Sequence, residues 1–152
     1  MKRMACCVLL TVLLVSVISL PCLALASEEN AVITDYEDGS YLIERIVVTH
    51  SRASGTKTGA KEAIYYGSSG ASKWKAVLNG TFSYTGSSAT CTASSVSVTI
   101  YDSSWYTVSK SASKSGNTAY GSVTMGYKTF GVTVNEVSKN LSLKCDANGN
   151  LS

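Results

Sequence analysis

The chain has very little proline, histidine, phenylalanine and charge. Of its 152 residues, one is proline (Pro21), one is histidine (His50) and two are phenylalanine, and only 15% are charged. A single histidine leaves few ways to build a histidine-dependent catalytic or metal site. Serine is the commonest residue, as in a mucin-like stalk, but such a stalk is also rich in proline. With Pro21 as its one proline, the chain does not fit this class of protein. Neither a phosphate-binding loop nor a metal-ligand motif occurs in the sequence, so we expect no cofactor and no bound metal.

The first 26 residues have the three parts of an export signal. Lys2 and Arg3 form a basic head, residues 6–20 form an apolar core, and residues 24–26 read Ala-Leu-Ala, a small-x-small cleavage site. An apolar core of about 15 residues is short for a membrane helix. We predict that residues 1–26 are a cleaved signal peptide and that the protein is secreted, free or associated with the cell wall. Retention of this segment as an anchor is the alternative.

Removal of the signal would leave two cysteines, Cys91 and Cys145, of the five in the chain. In an exported protein such a pair is expected to form one disulfide. It would close a loop of about 55 residues, for which the chain-entropy model gives about 4 kcal/mol of stabilisation. Two free thiols or a two-cysteine metal site are the alternatives, and the scarcity of histidine disfavours the metal site.

Charge is distributed unevenly along residues 27–152. The acidic residues are concentrated before Arg45, and the basic residues follow from Arg45 onward. We therefore predict an acidic flexible leader, residues 27–40, ahead of one folded domain, residues 41–152. The leader is either a solvated spacer or a segment that lies against the basic body and screens it.

The folded part has the period-two pattern of half-buried strands. Residues 74–84 place Trp74, Leu78 and Phe82 on one face and polar side chains on the other. Clusters of glycine and serine, including residues 111–117, separate such runs and are read as turns. The sequence thus predicts an all-β fold, an antiparallel β-sandwich of about seven strands. The predicted strands are residues 41–50, 58–67, 72–85, 91–101, 104–109, 118–127 and 131–145.

The last predicted strand changes its apolar phase. The alternation that includes Val132 and Val134 gives way to one that includes Val137, Leu141 and Leu143. A change of phase within a strand indicates one extra residue. We predict a bulge near Asn135–Glu136, or a switch of sheets there.

The order Cys91, Trp105 and Cys145 resembles that of immunoglobulin-type domains, in which a disulfide joins two sheets beside a buried tryptophan. The match is partial, because Leu143 stands where such domains carry tyrosine. The phrases GTFSYTGSSATCT, SKSASKSGN and LKCDANGNLS also resemble small exported proteins of Gram-positive bacteria that have no assigned function. These resemblances imply an immunoglobulin-like sandwich outside the cell, and they assign no site.

The parts of an enzyme are scarce. His50 stands at a predicted strand end, and no nucleophile-elbow pattern accompanies the many serines. The carboxylates available for sugar hydrolysis are scattered along the chain, with no pair visible. They are Glu44, Glu62, Asp102, Glu136 and Asp146. We therefore predict a protein that is not an enzyme.

Aromatic and basic residues favour binding. We expect Trp74 and Trp105 to lie mostly in the core, whereas tyrosines suit carbohydrate or protein surfaces. Exposed lysines suit anionic wall polymers, although they also protect strand edges from aggregation. The candidate binding residues are Tyr65, Tyr66, Tyr106, Tyr120, Lys110, Lys114 and Lys128.

The most consistent function is a secreted, non-catalytic binding or interaction domain at the bacterial surface or in the extracellular milieu. Its expected partner is a cell-wall polymer, a glycan or a surface protein. We do not expect nucleic acid as a partner, or stable membrane insertion after the signal is removed. A secreted antimicrobial or toxin-like protein that acts on membranes, and a structural protein of the envelope, are the alternatives.

Overall fold

The described part of the chain folds into β-strands. The structure is a computed structural model that describes the backbone of residues 31–52 and 55–152 and the side chains of residues 31–48 and 55–152. The predicted signal peptide, residues 1–26, lies outside the described residues. Within the described residues there are eight strands and no helix. The strands are β1 (Val32–Asp35), β2 (Tyr41–Arg52), β3 (Thr56–Tyr66), β4 (Ser72–Tyr84), β5 (Ala89–Ile100), β6 (Trp105–Ser115), β7 (Thr118–Thr129) and β8 (Val132–Lys144).

The all-β prediction is confirmed, and β2 to β8 correspond to the seven predicted strands. β1 is an additional strand inside the segment expected to be a flexible leader. It pairs antiparallel with the start of β2, with Val32 opposite Glu44 and Asp35 opposite Tyr41. Its β-branched residues suit a strand, whereas the prediction relied on the surrounding acidic residues. A strand, β1, therefore lies within the predicted leader, ahead of the domain start predicted at Tyr41.

The strands form two antiparallel sheets with the simplest connectivity. One sheet has the order β1-β2-β3-β4-β5 and the other has the order β6-β7-β8. β4 packs over β7 and β3 packs over β8, so the two sheets face each other as in a sandwich. Within each sheet, every strand pairs with its neighbours in sequence, whereas immunoglobulin domains have Greek-key connections. The immunoglobulin-like topology is therefore not confirmed.

The core lies between the sheets and follows the predicted alternation. On β4, Trp74, Ala76, Leu78 and Phe82 are fully buried. Across the interface, β7 contributes apolar side chains such as Met125. Because successive residues of a strand point to opposite faces, burying one set leaves the intervening residues on the outside.

Aromatic rings fill the end of the core where β6 begins. The rings of Tyr65 and Trp74 are stacked with centroids 5.3 Å apart. Trp105 is tilted against both rings, and Tyr127 packs on Trp105 at 5.4 Å. The predicted core position of Trp74 and Trp105 is confirmed. Tyr127, near the end of β7, is the last residue of that strand whose ring packs in this cluster.

The predicted bulge is present in β8. The pairing of β7 with β8 shifts between Tyr127 opposite Asn135 and Lys128 opposite Thr133. Val134 is thus the extra residue, one position before the predicted site at Asn135–Glu136. A bulge bends a strand and re-aims its side chains, so it changes the direction of the hairpin between β7 and β8.

The predicted break at residues 111–117 is wrong for most of its length. Ser111–Ser115 continue β6 and pair with β7, from Ser111 opposite Ser122 to Ser115 opposite Thr118. The turn itself consists of Gly116 and Asn117. Serine and alanine are weak strand formers, but hydrogen bonding to a neighbouring strand overrides this local preference.

Candidate functional site

The outward face of the three-stranded sheet is covered by small hydroxyl and amide side chains. Every second residue of β6, β7 and β8 points away from the core, and the strand register aligns these residues in rows across the sheet. Three successive rows contain no charged side chain. We call these nine residues the hydroxyl face: Ser109, Thr124 and Ser138; Ser111, Ser122 and Asn140; Ser113, Tyr120 and Ser142.

Tyr120 is the one aromatic residue of the hydroxyl face, and 44% of its surface is exposed. Beside it lies an open depression of about 300 Å³. The site thus combines an apolar ring with many groups that donate and accept hydrogen bonds. The depression is lined by Ser111, Ser113, Tyr120, Gly121, Ser122, Asn140 and Leu141.

Tyr106 and Lys128 meet farther along the same outward side. The Tyr106 ring lies across Gly126, where an added Cβ would come within 2.5 Å of the ring. Its hydroxyl hydrogen-bonds with the Thr133 hydroxyl at 2.6 Å, and the Lys128 Nζ lies 4.6 Å from the ring centroid. Gly126, on which the Tyr106 ring lies, is six positions from Tyr120 on β7. The pair of Tyr106 and Lys128 is therefore roughly 20 Å from Tyr120 along the strand.

The adjacent tyrosines Tyr65 and Tyr66 have different environments. Tyr65 is buried, with 3% of its surface exposed, and its hydroxyl donates a hydrogen bond to Ser40 at 2.6 Å. Burial raises the pKa of this phenol. Tyr66 stacks on Tyr41 at 4.8 Å in the five-stranded sheet. Neither residue belongs to the hydroxyl face, and the candidate binding residue Tyr65 is part of the core.

Lys110 and Lys114 lie on the other side of β6 from the hydroxyl face. They are aligned with Val123 and Ala119, which point into the core. The ammonium group of Lys114 donates to the Thr92 carbonyl of β5. The three candidate lysines therefore do not form one patch: Lys128 is beside Tyr106, and the other two follow the edge between β5 and β6.

The two candidate disulfide residues are free, buried thiols in this structure. The Cys91 and Cys145 amides donate to consecutive carbonyls of the β6–β7 turn, Gly116 O at 2.8 Å and Asn117 O at 3.0 Å. Burial raises the pKa of both thiols. Trp105 begins β6 and thus lies at the opposite end of that strand from both cysteines. The grouping of a tryptophan with the cysteines, suggested by the sequence, is not present.

Three of the carboxylates considered for catalysis are engaged in ion pairs. Glu44 contacts Lys61 at 3.6 Å and also Lys139. Glu62 contacts Arg45 at 3.0 Å and Lys75 at 3.4 Å. Asp102 contacts Lys73 at 2.8 Å, and this hydrogen bond, together with one from the Ser104 amide, holds the Asp102 pKa below its usual value. The side chain of His50 lies outside the described residues.

Among residues 31–48 and 55–152, whose side chains the structure describes, no group of three or more His, Cys, Asp or Glu side chains could hold a metal ion. No helix in the same ranges is long and apolar enough to cross a membrane. Comparisons with protein-family models, curated proteins and solved structures found no match.

The sequence interpretation missed two surfaces. The hydroxyl face could have been found from the serines that recur at every second position from Ser109 to Ser115. That run was read as a turn, so its period was not used. The second surface is the tip of the β7–β8 hairpin, where Phe130 is fully exposed. The predicted strands, residues 118–127 and 131–145, leave Phe130 in the turn between them, but Phe130 also continues the apolar alternation of Val132 and Val134, which is typical of a buried face.

Proposed function

We propose that this protein is a secreted, non-catalytic binding module that acts at the bacterial surface or in the extracellular milieu, and that its hydroxyl face binds a glycan. The observation that carries the proposal is the exposed ring of Tyr120 in an open depression lined by hydroxyl and amide groups. Export rests on the signal-like residues 1–26.

The chemistry of the hydroxyl face matches that of a sugar. One side of a pyranose ring presents C–H groups that pack on an aromatic ring, and its hydroxyls both donate and accept hydrogen bonds. Tyr120 offers the ring, while Ser113 and Ser142 lie on either side of it in the same row. Asn140, in the next row, adds an amide that donates and accepts. Short side chains lose little entropy when they become ordered on binding.

Charge favours a neutral glycan over an anionic polymer. The three rows of the hydroxyl face contain no lysine, and Lys110 and Lys114 lie on the other side of β6. Binding through this face should therefore depend little on salt, because salt screens interactions between charges. An electrostatic wall-binding module would lose affinity as salt is raised.

Export also supports a disulfide between Cys91 and Cys145 in the secreted protein. Both cysteines are anchored to the same two-residue turn, Gly116–Asn117. Oxidising compartments favour disulfides in small secreted domains. Such a bond would link the start of β5 in one sheet to the end of β8 in the other, and would thus hold the three-stranded sheet, which carries the hydroxyl face, against the five-stranded sheet.

Sedimentation with bacterial cell-wall polysaccharide, compared between the wild-type protein and Tyr120→Ala, tests the glycan proposal. We expect the affinity of Tyr120→Ala to fall at least about tenfold, because a central aromatic contact is typically worth 2 kcal/mol or more. The wild-type affinity should change little between low and high salt.

Tyr101→Ala is the matched control, because Tyr101 is similarly exposed, at 52%, but lies in the turn between β5 and β6. This variant should bind as the wild type does. Equal binding by Tyr120→Ala and the wild type, or binding that high salt abolishes, would contradict a neutral glycan site at Tyr120.

A further inference from the structure

The turn between β7 and β8 presents an aromatic side chain to solvent. Phe130 is fully exposed, and Val132 and Val134, which follow it on β8, are also exposed. Tyr127 is the last ring of β7 in the aromatic cluster, so the turn projects beyond the core. A Cβ added to the neighbouring Gly131 would meet no atom within 4 Å. The tip is therefore convex and surrounded by open space.

The backbone of the tip is unfavourable for phenylalanine. Phe130 has a φ of 50° and Gly131 has a φ of 80°, and a two-residue hairpin turn with both values positive favours Asn-Gly. A bulky residue at positive φ is a genuine outlier. Such strained positions cluster at functional sites, and the described residues leave the Phe130 side chain fully exposed.

The groups behind the tip are those of a membrane–water interface. Lys128 lies two residues before Phe130, with its ammonium group over the Tyr106 ring at 4.6 Å. Two residues of strand span about 7 Å, which agrees with the 5–10 Å to which interfacial segments enter a bilayer. Tyrosine and lysine are favoured at the headgroup level, where an apolar stem is buried while the polar end stays hydrated.

We propose that the β7–β8 hairpin tip inserts Phe130 into the surface of a lipid bilayer, with Lys128 at the level of anionic headgroups. A bilayer suits a single convex apolar projection, because lipid chains can close around it without a preformed pocket. Asp102, a carboxylate in the turn from β5 to β6, is already paired with Lys73. Its negative charge is therefore balanced without Lys128. The inference does not depend on the glycan site, since Phe130 lies outside the hydroxyl face.

The test is co-sedimentation of the protein with vesicles of phosphatidylcholine and phosphatidylglycerol. Phe130→Asn removes the apolar tip and creates Asn-Gly, the preferred sequence for this turn, so the variant should unfold at the same temperature as the wild type or higher. We expect its partition coefficient to fall at least about tenfold. Lys128→Gln should weaken binding several-fold on these vesicles and leave binding to pure phosphatidylcholine vesicles unchanged.

Val108→Ser is the control, because Val108 is an exposed apolar residue of β6 remote from this turn; it should bind vesicles as the wild type does. A Phe130→Trp variant gives a second measurement, a shift of its emission to shorter wavelength when vesicles are added. Trp74 and Trp105 are already buried and give a constant background. The proposal is overturned if the wild type leaves the vesicles unbound, or if Phe130→Asn binds them equally well.

Discussion

At the scale of single residues, Trp74 combines strong packing with an unpaired polar atom. The residue is fully buried and stacks on Tyr65, yet its indole nitrogen Nε1 has no hydrogen-bond partner among the residues that the structure describes. A buried donor without a partner costs about 1–3 kcal/mol. The large apolar area that this ring buries must therefore offset the cost of its own N–H group.

Two substitutions at Trp74 separate these effects. Trp74→Ala should lower the free energy of unfolding by about 3–5 kcal/mol, because it leaves a cavity in the core. Trp74→Phe keeps most of the packing and removes the unpaired N–H, so it should cost clearly less than Trp74→Ala. Equilibrium unfolding in urea measures both values, and equal losses for the two variants would contradict the expectation that the retained ring and the removed N–H make Trp74→Phe the milder change.

Residue positions were predicted well where alternation was unambiguous. Trp74 begins a long alternating run, so its burial follows from the pattern. Tyr65 and Tyr66 are adjacent and similar, and the sequence does not say which of them faces the core. The pairing of β3 with β4 places Tyr65 opposite the buried Trp74 and thus turns Tyr65 toward the core. The local sequence does not contain this strand register.

At the scale of elements, the turn between β5 and β6 connects the two sheets and is fixed by Asp102. This carboxylate accepts hydrogen bonds from Lys73 Nζ at 2.8 Å and from the Ser104 amide at 2.9 Å. Both hydrogen bonds favour the ionised form and hold the pKa of Asp102 below its usual value. A carboxyl group whose pKa is lower in the folded state than in the unfolded state stabilises the fold above its unfolded pKa, about 3.9.

Asp102→Asn should therefore destabilise the protein at pH 7 and not in strong acid. The expected loss at pH 7 is up to about 1 kcal/mol, the value of a partly exposed ion pair. As pH falls through the folded-state pKa, the wild-type carboxylate becomes protonated and the difference between the two proteins should disappear. Urea unfolding at pH 7 and at pH values below 3.9 tests this, with Lys73→Gln as the companion variant. A loss that is the same at both pH values would rule out the ion pair as its cause.

Element boundaries were predictable to within a few residues wherever apolar and polar residues alternate. β6 is the exception, because from Ser109 onward it contains mainly serine, alanine and lysine, which also occur in turns. Tertiary pairing with β7 determines its length. The hydroxyl face includes Ser111 and Ser113, which lie beyond the predicted end of this strand at residue 109. The sequence prediction therefore missed the candidate site.

At the scale of the whole molecule, connectivity was the least predictable property. Alternation gives the number of strands and their buried faces, but it does not give the order of strands within a sheet. The immunoglobulin-like interpretation relied on the spacing of Cys91, Trp105 and Cys145, and the fold places the tryptophan at the opposite end of β6 from the cysteines. A meander also brings consecutive strands together, which explains why β6, β7 and β8 suffice to build the hydroxyl face.

The last prediction concerns the covalent link between the sheets. We expect the protein folded under oxidising conditions to contain a Cys91–Cys145 disulfide that raises the free energy of unfolding by up to about 4 kcal/mol over the reduced form. Burial raises the pKa of both thiols, so they hold little thiolate and should react slowly in the folded state. Thiols must therefore be counted after unfolding without reductant, and the expected count is zero.

Urea unfolding with and without dithiothreitol gives the energetic part of the test. The reductant should shift the midpoint of the wild type to lower urea and leave that of Cys145→Ser unchanged, because that variant has no bond to break. Two reactive thiols per chain, together with a midpoint that reductant does not move, would mean that the sheets are held by packing alone. In that case the packing of the five-stranded sheet on the three-stranded sheet would hold the sandwich together without a covalent link.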